Sequence, residues 1–132
     1  MHLTNDSIQK NSESYGRFEP GNKISYSAFQ RYLDSTYPHK KYNFQEQIVK
    51  KMKQISMEVA RASFSFMDPE RKSSNFELYG LDFIIDSKFK PYLIEINANP
   101  CLDTSSSLLN RIVPTLIEHT FRVGLDALFP PP

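Results

Sequence analysis

Asp82, Glu95 and Asn97 are the residues of this chain whose types and spacing point most directly to chemistry. They fall in two β-rich runs, FELYGLDFIID and PYLIEIN, joined by the polar segment SKFK, a pattern that predicts a β-hairpin over residues 76 to 97. Side chains alternate along a strand, so Leu78, Gly80, Asp82 and Ile84 should share one face of the first strand, while Leu93, Glu95 and Asn97 share one face of the second. A turn centred near Lys88 sets Asp82 opposite Glu95 or its neighbour. Magnesium takes oxygen ligands, keeps several waters, and is usually held by one or two carboxylates together with substrate phosphates. Two carboxylates and an amide meet that need.

Both faces of the two runs are largely apolar, which predicts strands covered on both sides and makes any charge among them costly unless metallated, paired or hydrogen-bonded. An isolated strand aspartate is most often a hydrogen-bonded structural acid. Two acids side by side in an apolar sheet repel each other unless a cation lies between them, and this favours the metal reading here. Asp86 and Glu77 flank the hairpin and are assigned to solvent or to capping.

The elements that must position these groups are legible from periodicity. Tyr26, Phe29 and Leu33 mark one short amphipathic helix from Ser25 to about Ser35, with Ser25 as its cap. Ile48, Met52, Ile55, Val59, Ala62 and Phe66 fall at spacings of four and three, and predict a long helix from Phe44 to Phe66 with one buried stripe, stopped by Asp68-Pro69. Ser105 to Leu128 carries Leu108/Leu109, Ile112/Val113, Leu116/Ile117 and Phe121 at helical spacing, with serines ahead as caps. Pro114 must kink that helix or open a second one. Residues 1 to 23 are rich in Asn, Ser, Gly and Pro and read as a loop without a helix. The class is α+β: a loop-rich segment 1–23, a helical part 24–68, the hairpin 76–97 and a C-terminal helix 105–128.

A chain of 132 residues can bury a core, and 39% apolar residues with ten Phe and seven Tyr supply the material for one. The single Cys101 excludes an internal disulfide, and no charged-then-apolar leader or long apolar run is present, so a cytosolic setting is expected. The net charge of +1 gives no global reason to expect nucleic acid or an acidic membrane.

YGLDFIID followed by PYLIEINANP closely resembles the C-terminal motif of the tubulin-tyrosine ligase-like family, which belongs to the ATP-grasp enzymes, and the opening HLTNDSIQK resembles the same family's motif beginning HLTN. YGR and a long helix stand between the two, so the resemblance covers nearly the whole chain and implies the C-terminal portion of an ATP-grasp fold. It implies magnesium at Asp82, Glu95 and Asn97, and ATP approached by Thr4 and Asn5, which on their own would read as ordinary loop or capping residues. It also implies an amino-acid substrate near Ser7, although family members often carry a tyrosine where this chain has Asp6. The implied reaction adds glutamate, glycine or tyrosine to a tubulin carboxylate through an acyl phosphate. The implied partners are tubulin or microtubules and a free amino acid, not nucleic acid or a membrane, in the cytoplasm at the cytoskeleton, with the cilium or basal body among its settings.

In the family the lysines that grip the nucleotide lie upstream of HLTN, which here starts at residue 2, and no Gly-rich phosphate loop replaces them. The chain therefore reads either as a fragment of a ligase or as a non-catalytic microtubule-binding remnant. Basic residues gather between Lys40 and Lys72, which fits a solvated helix face or a dock for an acidic tail. His2, His39 and His119 are too scattered to argue for zinc, and Cys101 is expected in the core.

Overall fold

The computed structural model describes residues 5–71 and 75–131. A four-residue helix α1 (Asp6–Gln9) opens it, followed by a single 3-10 turn at Pro20–Asn22, helix α2 (Tyr26–Thr36), helix α3 (Lys50–Met67), strands β1 (Gly80–Ile85) and β2 (Pro91–Asn97), and helix α4 (Ser107–Gly124). The class is α+β, with one two-stranded antiparallel sheet among the described residues. None of the described helices is long and apolar enough to cross a membrane.

Side-chain caps fix several helix starts. The Ser25 hydroxyl accepts from the Ala28 N–H and the Ser106 hydroxyl from the Leu109 N–H, each satisfying one of the orphan donors of a first turn. Where a loop was expected, α1 forms because the Asn5 carboxamide accepts from Ser7 N and supplies a cap. Ahead of α3 the backbone is π-helical over Phe44–Val49 rather than α-helical. The Asn43 side chain accepts from Glu46 N, and the Gln47 carboxamide oxygen reaches back to Asn43 N, a reciprocal cap in the widened turn.

The core is small and sits where α2, the π-helical turn and the hairpin turn meet. Leu33, Phe44, Ile48 and Val49 are buried there, with Phe29, Tyr42, Met52, Ile85 and Phe89 packed around them. Phe44 takes edge contacts from Tyr26 and Phe29, both at 5.0 Å between ring centres. Gln30 joins α2 to the next element by donating to the Tyr42 carbonyl at 2.7 Å and accepting from Phe44 N at 2.8 Å. Loss of that carboxamide would strand two part-buried backbone groups.

Several expectations about burial are corrected. The apolar stripe of α3 is covered only in its first half: Met52, Ile55 and Val59 are half-buried, whereas Ala62 is exposed and Phe66 is 85% exposed. Periodicity marks an apolar face but says nothing about what covers it. Helix α4 runs through Pro114 without a break and ends at Gly124, short of Leu128, where the Phe76 ring lies 2.7 Å from the place a Cβ would occupy. The accessible surface of 10881 Å² compares with about 7,100 Å² for a compact monomer of this mass. Much of the excess is apolar, on α4, the second half of α3 and the hairpin.

Candidate functional site

The hairpin is positioned from its turn. Asp86 accepts from Lys88 N and Lys90 N, both at 2.9 Å, and its own N–H bonds to the Lys90 carbonyl. Chiefly because of the Lys90 N–H, its carboxyl is held below the ordinary range. Asp86 therefore builds the turn, the capping role its position suggested. Phe89 has φ +59, a left-handed conformation that costs a bulky residue roughly 1–2 kcal/mol. Its ring packs on Tyr42 at 4.2 Å and on Tyr37 at 5.7 Å, which holds the turn against the core.

The register pairs Gly80 with Asn97, Asp82 with Glu95, Phe83 with Leu93 and Ile84 with Tyr92, and leaves Ile94 unpaired as a bulge between Asp82 and Phe83. The structure thus brings Asp82 and Glu95 directly opposite each other, with the Asn97 carboxamide donating to Asp82 Oδ2 at 3.3 Å. It does not keep Leu93 with them. The extra residue reverses the alternation, so Leu93 joins Phe83 on the covered face, against which α3 packs, and Tyr92 joins Ile84 on the other.

That other face is open. Asp82 and Glu95 are exposed, as are Ile84 at 57% and Tyr92 at 44%. The expected two-sided burial is therefore overturned, since the side chains on this face are exposed. The case for a cation no longer rests on desolvation. It rests on two carboxylates set opposite each other across a ladder, about 4.5–5.5 Å between Cβ atoms, a destabilising arrangement for like charges. The donor set suits magnesium: two carboxylates and an amide, all oxygen, on a solvated face that leaves room for the metal's retained waters.

The loop after β2 folds back so that Pro100 Cβ lies 3.0 Å from where a Cβ on Gly80 would be, a close approach that favours glycine there. Cys101 in this loop is exposed rather than part of the core, because the loop runs over the surface. Farther on, Asp103 accepts from Ser105 N, and Ser106 Cβ approaches Gly21 to within the 3.7 Å contact a Cβ would make. These contacts set the N-terminal segment beside the loop that follows β2.

Of the expected nucleotide residues, Thr4 lies outside the described residues. Asn5 is exposed and caps α1, the ordinary role its residue type suggested, and Ser7 is exposed with its N–H on that cap. Neither contact decides a ligand. The hub of this segment is Asp6, which sequence reasoning passed over although the Asp6/Lys10 spacing was visible. Its carboxylate meets Lys10 at 2.9 Å, Lys23 at 3.1 Å and the Tyr15 hydroxyl at 3.0 Å. Lys10 first, then Lys23 and Tyr15, hold its pKa down to about 2. A depressed acid stabilises fully above its unfolded pKa, so this tie is complete above about 4 and is lost as the pH falls from there through about 2. A carboxyl-carbon NMR titration should place the Asp6 midpoint near 2 at low salt and higher in strong salt, since the group is 40% exposed and screened. A midpoint at the ordinary value would show that the cluster does not form.

Comparison with known proteins supplies the relationship. Residues 1–131 match the tubulin-tyrosine ligase family. Protein polyglycylase TTLL10 of Macaca fascicularis is 32% identical over 130 residues, covering 95% of this chain and 21% of the relative. Tubulin polyglutamylase TTLL5 of Homo sapiens is 37% identical over 134 residues, 93% of this chain and 10% of its own length. Tubulin glycylase 3A of Drosophila melanogaster is 36% identical over 130 residues, 96% of this chain and 13% of its own. The chain thus spans between a tenth and about a fifth of these relatives. With both end motifs inside the matched region, this chain belongs to the tubulin-tyrosine ligase family.

Proposed function

We propose that this chain is the C-terminal portion of an ATP-grasp ligase that joins an amino acid, whether glutamate, glycine or tyrosine, to a tubulin carboxylate in the cytoplasm at microtubules, the cilium or basal body included. The observation that carries the reading is the Asp82–Glu95 cross-strand pair with Asn97 beside it on one open face. The matched relatives, named for tubulin polyglutamylation and glycylation, support the class of reaction. Magnesium, when bound, would neutralise phosphate charge and align the transfer.

The residues of this chain have distinct tasks in that reaction. Asp82 and Glu95 would hold the metal through their carboxylates, and Asn97 would add an amide oxygen. Thr4 and Asn5 approach the nucleotide, and Ser7 the incoming amino acid, from the segment that Asp6 ties down. The acceptor carboxylate oxygen attacks the γ-phosphorus and ADP leaves. The amine then attacks the acyl carbon, phosphate leaves, and the amine loses a proton to give the amide.

A thermal melt of the chain with and without magnesium and ATP tests the reading. Ligand at a hundred times its Kd stabilises the folded state by about 2.7 kcal/mol, roughly 8–10 °C for a domain of this size. A cooperative melt that ignores both ligands would leave the second reading, a non-catalytic tubulin-binding piece of the same family. That reading is favoured by the lysines around residues 40–53.

A further inference from the structure

None of residues 5–23 is buried, and the large apolar side chains among them, Ile8 and Phe18, face solvent. Apolar packing therefore holds little of this segment, and its shape depends on polar contacts. We propose that Asp6 is a positioning residue for the nucleotide: its carboxylate, shared between α1 and Lys23, fixes Asn5 at a set place against the loop that follows β2. The inference rests on the ligase reading above and assigns nucleotide affinity to a group that touches neither the metal nor the nucleotide.

Two sets of bonds fold the segment on itself. The Asn22 carboxamide accepts from Gly16 N at 2.9 Å and donates to the Gln9 carboxamide oxygen at 3.1 Å, which closes the chain into a loop but reaches no other element. The Asp6 set reaches farther. Lys23 donates to Asp6 Oδ1 at 3.1 Å and to the Gly21 carbonyl at 3.2 Å, and Gly21 lies against Ser106. Ser106 is buried and caps α4, so it is a fixed point. On the other side of Asp6, Lys10 pairs with it at 2.9 Å and extends its field to Asp103, whose carboxyl is lowered first by Ser105 and further by Lys10.

The loop that carries Asp103 and Ser106 begins at the metal pair. Strand β2 ends at Asn97, Pro100 packs on Gly80, and Ser106 packs on Gly21, so one loop runs from the carboxylates to the Asp6 cluster. Asn5 directly precedes Asp6 and caps α1, so its place follows that of Asp6. Removing the carboxylate charge leaves Lys10 and Lys23 without their shared anion and releases α1, which at four residues is too short to persist alone. The hairpin keeps the turn and register that Asp86 and Phe89 fix independently. Loss of Asp6 should thus separate nucleotide binding from metal binding.

Manganese binding to the chain, read from water relaxation, and magnesium-ATP binding, read by calorimetry, should respond differently to the same change. Asp6→Asn should leave the manganese affinity as it is and raise the Kd for magnesium-ATP by roughly three- to tenfold, since a site assembled for only a fraction of the time binds more weakly by that fraction. Lys23→Met, which removes the partner instead of the acid, should do the same. Asp6→Glu keeps the charge and should recover most of the loss, and Glu58→Gln, an equal charge change on α3, should have no effect. An unchanged Kd in Asp6→Asn, a loss that Asp6→Glu does not recover, or a parallel loss of manganese would each overturn the proposal. A parent chain that takes up manganese but not ATP would also overturn it while leaving the metal pair in place, and a parent that takes up neither would overturn the ligase reading as well.

Discussion

Exchanging Asp82 for Asn and Glu95 for Gln together should raise the melting temperature of the metal-free chain and erase the rise that magnesium and ATP produce in the unaltered one. The first effect follows from relieving a like-charged pair directly across the ladder, worth about 0.2–1 kcal/mol, a shift of a few degrees at most. The second is larger, because removing both carboxylates takes away the metal's charged ligands and with them the roughly 2.7 kcal/mol that a saturating ligand contributes. Manganese, which prefers the same oxygen donors, gives an independent readout through its effect on water relaxation. If the double variant still responds to magnesium and ATP as the parent does, the metal lies elsewhere. If it melts lower without metal, the two acids are structural.

Phe44→Ala should be the most damaging single truncation in the described core. The side chain is 5% exposed and in edge contact with two rings, and the cost of such a deletion is about 3–5 kcal/mol. A domain of this kind has only about 5–15 kcal/mol to lose. With so few fully buried apolar side chains, little else can take up the loss. Urea denaturation should show the midpoint collapsing, whereas Phe66→Ser, at a position 85% exposed, should move it by less than about 0.5 kcal/mol equivalent. Comparable effects at the two positions would mean that the aromatic cluster around Phe44 is not the centre of the fold.

What could be read from the sequence is whatever local chemistry fixes. Ser25 and the serines ahead of Leu108 announced helix starts, and the caps form within a residue of where they were expected. Strand period and turn position set Asp82 opposite Glu95 or its neighbour, and the bulge at Ile94 decides for Glu95. Burial did not follow, because YLIEI looks apolar at both parities, and an inserted residue at Ile94 produces that pattern as readily as two-sided coverage does. The π-helical turn left no mark on an apolar spacing of three and four, and α1 depended on one Asn5 cap in a segment with few apolar residues. The Asp6 cluster joins residues up to seventeen positions apart, and only its Lys10 partner lies within one helical turn.

The left-handed Phe89, wedged between Tyr37 and Tyr42, has a mechanical meaning. It clamps one end of the hairpin in an aromatic vice, while the far end, where Asp82, Glu95 and Asn97 sit, is backed by Pro100 against Gly80 and keeps one side uncovered. The carboxylates are thus held between two anchorages, the aromatic turn and the returning loop, and the strand register between them keeps the pair opposite each other.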